Sequence, residues 1–117
     1  MVRMDQSGDK HDVKPFIDVE GASGSVYRFQ RIDDPVRLPA TSGNFLFLKA
    51  AGDGAEVVCA GTASSLTRAK DVWNPTIEPN QAQTLFVRLN VSRSVRRNEH
   101  DDIVEAQQPT MVVTNLD

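Results

Sequence analysis

The sequence predicts an α+β domain: a small antiparallel sheet of three to four strands flanked by helices. Three observations carry that expectation. Two apolar runs flank a glycine-rich turn near residue 53, an alternating β-rich run lies near residue 86, and a serine-capped segment ends before Pro109.

In chain order, residues 1–20 mix Asp, Lys, Gly, Ser and His with almost no apolar periodicity and read as a flexible tail, leaving residues 21–117 as one domain. From Gly24, Val26, Tyr27, Phe29 and Ile32 approach alternation among polar neighbours, which predicts a strand that stops at Asp33-Asp34-Pro35. Pro39 and Gly43, following Pro35, make Val36–Gly43 a connection. Asn44–Lys49 is continuously apolar in its middle and predicts a strand buried on both faces. Gly52-Asp53-Gly54 can take the positive φ of a hairpin turn, so Glu56–Ala60 returns as the antiparallel partner.

Beyond Gly61, serines 64 and 65 can cap a short helix that places Leu66, Ala69 and Trp73 at helical spacing before Asn74-Pro75 stops it. Gln83–Leu89 alternates and predicts a third sheet strand beside the hairpin. Ser92 caps a final helix to about Gln108, and Val112-Val113 suits a short closing strand.

At 117 residues, 39% hydrophobic and 25% charged, the chain is sized and composed for one core, which excludes wholesale disorder and fibrous repeats. The single cysteine, Cys59, lies in the apolar run Val57–Ala60, reads as a small buried hydrophobe and points to a reducing, cytoplasmic setting. The first residues lack an apolar signal region, and no stretch reaches the roughly 18 apolar residues of a membrane span, so no membrane partner is expected. A net charge of −3 has the wrong sign for coating nucleic acid. Charge is segregated, however: Arg88, Arg93, Arg96 and Arg97 occur without an acidic residue among them, and Glu99, Asp101, Asp102 and Glu105 follow.

Candidate chemistry is sparse. His11 and His100 are far apart and Cys59 has no partner at ligand spacing, so no metal signature is present, although a carboxylate site stays open. Gly52 and Gly54 lack the lysine and further glycine of a phosphate loop. In the final helix, an inward stripe of Val95, Ile103 and Ala106 would turn Glu99 toward the sheet. There it would meet a cation such as Arg68 or border a polar cleft. Arg93, Arg96 and Arg97 open that helix, where its dipole favours negative charge. A phosphate, an acidic partner, or pairing with Glu99, Asp101 and Asp102 would each account for them.

Gly43-Asn44-Phe45, then Cys59-Ala60-Gly61, then Thr62–Arg68, and finally Ile103–Pro109 followed by Asn115 occur in an order that resembles the GIY-YIG nuclease superfamily over roughly residues 43–115. The resemblance implies that fold, and a divalent metal, Mg or Mn, ringed by two tyrosines, an arginine and a glutamate, where water attacks phosphate. Phe45 and Cys59 stand at the tyrosine positions, Gly61 at the glycine, Arg68 one residue before the arginine, and Glu99 one before the glutamate, which His100 occupies. The reading that follows is a non-catalytic binding module that needs no cofactor and contacts DNA through a local basic surface of Arg93, Arg96 and Arg97. Two alternatives stand beside it. One is an active metal-dependent phosphodiesterase using Arg68 and Glu99 as shifted catalytic residues; the other is a protein-interaction or dimerisation domain, meeting a protein partner or itself without nucleic acid.

Overall fold

A computed structural model describes residues 2–3, 15–52, 54–72 and 84–116. The strands are β1 (Val2–Arg3), β2 (Phe16–Glu20), β3 (Val26–Ile32), β4 (Gly43–Ala51), β5 (Gly54–Ala63), β6 (Thr84–Leu89) and β7 (Met111–Leu116). One long helix, α1 (Arg93–Gln107), joins β6 to β7, and 3-10 turns occupy Pro35–Arg37 and Leu66–Ala69.

The hairpin of β4 and β5 forms where the sequence places it, and Gly52 takes the positive φ, 59°, that its turn requires. Residues 43–48 are buried without a break because both faces of the sheet are covered. Leu46 and Leu48 pack with Val57, Ala60, Phe86 and Ile103 of α1 on the helix face. Phe45 and Phe47 pack with Cys59, Leu66, Ala69 and Leu85 on the far face. A bulge between these strands pairs Phe47 with Cys59 but Leu48 with Val57, so Val58 is the extra residue. Val58 and Cys59 consequently point to the same, far face.

The small sheet flanked by helices is corrected by the observed pairing. The described residues build one seven-stranded mixed sheet in the order β1-β5-β4-β6-β3-β2, with β7 parallel to β5. Nearly half of them lie in strands, and α1 is the one long helix among them. The two ends of the order, β1 and β2, come near one another, so the sheet curls into a half-barrel. The enlargement comes from β7 at one end of the chain and, at the other, from β1 and β2, both in the segment assigned by sequence to a tail; of these β2, Phe16–Glu20, is the larger. It alternates exposed and buried residues, seals Ile17 and Val19 into the core, and pairs with Val26–Gln30 of β3 through the turn at Gly21–Ser25. β3 then joins β6 through Gln30↔Val87 and its neighbours, a long-range link that no local pattern encodes.

The helix expected over residues 64–73 starts as the 3-10 turn Leu66–Ala69 and continues helically through residues 70–72. Trp73, the stop at Asn74-Pro75, Asp53 of the turn and Gln83 lie outside the described residues, as do residues 4–14 of the expected tail. Ser92 caps α1, its Oγ accepting from the Val95 N–H at 3.4 Å, and Gln108 ends it in a left-handed conformation. The inward stripe of α1 is Arg96, His100 and Ile103 with Glu99 half-buried, whereas Val95 is 45% exposed and Ala106 is exposed. The apolar stripe fails because the first half of α1 lies over polar Asn44 and Asn90, and only its second half reaches the apolar core. No helix among the described residues is long and apolar enough to cross a membrane.

Candidate functional site

Alternation along β6 turns Phe86 and Arg88 to the helix face and Leu85 and Val87 to the far face. Arg88 Nε donates to Glu99 Oε1 at 2.8 Å, and Asn90 Nδ2 donates to the same oxygen at 2.8 Å. Asn90 also donates to Asn44 Oδ1 at 3.1 Å, and Asn44 Nδ2 in turn donates to the Arg96 carbonyl at 3.1 Å. Arg96 Nη1 closes the circuit on the carbonyls of Asn90 and Val91 at 3.0 and 3.1 Å. The Arg88 guanidinium stands over the Tyr27 ring, 5.5 Å from its centroid.

At the next turn of α1, the Tyr27 hydroxyl donates to Asp102 Oδ2 at 2.7 Å, and Ser23 donates to the same carboxylate through its N–H at 2.8 Å and its Oγ at 2.6 Å. The hydrogen bonds of Ser23 and then of Tyr27 hold the Asp102 carboxyl below the usual carboxylate range. Burial, followed by the bond to Asp102, raises the Tyr27 hydroxyl above its ordinary value. This seam matches acids with donors and cations with acceptors, so its chemistry is to fasten α1 to the sheet.

The residues expected to share a site do not converge. Glu99 meets Arg88, while Arg68 lies exposed on the 3-10 turn with Asp71 at 4.0 Å. Phe45, Cys59 and Gly61 face the far side, where a Cβ on Gly61 would strike the Phe45 ring. His100 lies on the helix side, 2% exposed, with Nε2 3.1 Å from Thr114 Oγ1, and burial pushes its pKa below the ordinary value. Among the described residues no group of three or more His, Cys, Asp or Glu is placed to hold a metal ion. The basic surface also shrinks. Arg96 is buried on backbone carbonyls, leaving Arg93 and Arg97 exposed, and Arg97 pairs with Asp101 at 3.2 Å.

A feature the sequence did not disclose lies on the far face. The ladder between β3 and β6 ends at Gln30↔Val87, and beyond it Arg88 Nη1 bonds the Arg28 carbonyl at 3.3 Å. An open cleft of about 430 Å³ lies over this region. Gln30, Ile32, Val87 and Leu89 form its strand side, and Phe16, Arg28, Arg37, Pro39 and Arg88 complete its lining. Phe16 and Leu89 are 47% and 59% exposed although both are large and apolar. The signal in sequence was faint: an outward Phe16 in an alternating five-residue run, separated from Arg37 and Leu89 by long stretches of chain.

Comparisons of this chain with protein-family models, with curated proteins and with solved structures gave no significant match.

Proposed function

We propose that this chain is a non-catalytic binding module. One observation carries the reading: the sheet separates Phe45, Cys59, Gly61 and Arg68 from Glu99 and His100. Hydrolysis of a phosphodiester by the resembled chemistry needs its metal ligands and its arginine around one phosphate. Groups divided by a sheet cannot meet there. Glu99 is further occupied by Arg88, which neutralises the charge a metal would require, and by a hydrogen bond from Asn90.

DNA contact through α1 is the weaker form of this reading, because only Arg93 and Arg97 face solvent and Arg97 is paired. The far-face cleft is the better supported binding surface, since it combines exposed apolar side chains with arginines. The buried Cys59, which forms no disulfide, accords with the cytoplasm as the place of action. The test is incubation of the purified chain with Mg or Mn and with supercoiled and linear DNA, both of which should remain intact. Metal-dependent cutting that disappears in Glu99→Gln would overturn the proposal.

A further inference from the structure

We infer that the far-face cleft between β3 and β6 binds a small organic anion with an apolar body, its carboxylate or phosphate headgroup held by Arg37 and Arg28. The inference rests on the reading of the chain as a binding module and names the class of ligand.

The volume, about 430 Å³, is that of a small-molecule site, and its mixture of apolar surface with a few polar groups is the usual composition of such sites. Ile32, Val87 and Leu89 offer the apolar body a surface continuous with the far-face core. Phe16 adds a ring at the margin, already within 5.8 Å of the Arg28 guanidinium, so a flat or extended body can lie against both.

The charges favour an anion. Near Arg37, Asp33 is taken by Arg31 at 2.8 Å and Asp34 caps the Val36 N–H at 3.0 Å. Arg37 itself has no ion-pair partner among the described residues. Arg28 pairs with Asp18 at 3.2 Å, but both side chains are more than half exposed, and such a pair contributes little. It can be exchanged for a ligand headgroup. Arg88 contributes no headgroup contact, because its guanidinium is turned through the sheet to Glu99 and Tyr27. A neutral ligand would leave Arg37 without the charge-assisted hydrogen bonds an anion supplies.

The probe is anilinonaphthalene sulfonate, titrated by fluorescence into the full chain and then displaced with decanoate, decyl phosphate or decanol. Saturable binding is expected, reversed by decanoate or decyl phosphate at concentrations where decanol has little effect; the better displacer identifies the headgroup. Arg37→Ala and Arg28→Ala should each weaken binding by about tenfold, the loss expected for one hydrogen bond to a charged group. Arg93→Ala should leave it unchanged. Amide shifts of Gln30, Ile32 and Leu89 on adding decanoate would locate the ligand and confirm that each variant is folded. Absence of saturable probe binding, equal displacement by decanol, or unchanged affinity in both cleft variants would overturn the inference. None of these results bears on DNA cleavage, so the two proposals fail separately.

Discussion

Glu99 on α1 and Arg88 on β6 meet at 2.8 Å, and Asn90 shares the same carboxylate oxygen, so one partly buried charge ties the helix to a central strand. Removing either member strands the other in a region where its solvent access is low, the Glu99 side chain being 16% exposed. Arg88→Ala and Glu99→Ala should each cost about 1–3 kcal/mol in urea unfolding. The double variant should lose less than the sum, with a coupling of about 0.5–3 kcal/mol. Arg68→Ala should stay within about 0.5 kcal/mol and add independently to Glu99→Ala, because the two side chains lie on opposite sides of the sheet.

The arginines of α1 separate in the same assay. Arg96 is 7% exposed and holds two backbone carbonyls, so Arg96→Ala should cost about 1–3 kcal/mol. Arg93→Ala and Arg97→Ala, both at exposed positions, should each change stability by less than about 0.5 kcal/mol. A large loss from Arg93→Ala would mean that the start of the helix is fastened differently.

Gly61 allows the Phe45 ring to lie directly on the backbone of β5. Gly61→Ala forces that ring aside in a closed core and should destabilise the fold by about 1–3 kcal/mol. Shrinking the ring with Phe45→Leu in the Gly61→Ala background should relieve the clash, so the double variant should lose less than the two single losses combined.

His100 supplies a pH dependence with a defined sign. Burial lowers its pKa from the ordinary 6.5, with Asp101 opposing and Arg97 adding to the shift, so the unfolded chain takes up a proton more readily than the folded one. Stability should therefore decline as pH falls below about 6.5, through the unfolded value toward the depressed folded one. His100→Gln should flatten that decline between pH 7.5 and 5.5 while losing some stability at the higher pH. Asp102, also depressed, acts in a separate and more acid window, below its ordinary 3.8.

Local chemistry accounts for what was legible. The apolar run 44–48, the turn glycine at 52 and the cap at Ser92 each act over a few residues, and β4, β5 and α1 appear where those signals put them. Phe16–Glu20 escaped notice because it contributes just two buried side chains and follows a polar stretch. Once it is in the sheet, β3 gains an outer neighbour and the far-face cleft gains Phe16. The stripe of α1 departs from its apolar pattern for a related reason: Arg96 and His100 are buried through hydrogen-bonding to backbone and to Thr114. Glu99 does face the sheet, but its partner comes from strand β6 and not from the turn that bears Arg68.

The parallel pairing of β7 with β5 makes the C-terminal strand a cover. It occupies the hydrogen-bonding edge of β5 from Cys59 to Ala63 and shields Val58 and Ala63 with Met111, Val113 and Leu116. A chain cut after Pro109 would keep the hairpin and the helix yet present that bare margin to solvent, a template on which a second copy can lay its own strand. Such a truncation should increase strand exchange and fibrous aggregation relative to the full chain, as light scattering would read. The six residues of β7 thus close a margin of β5 that would otherwise lie open.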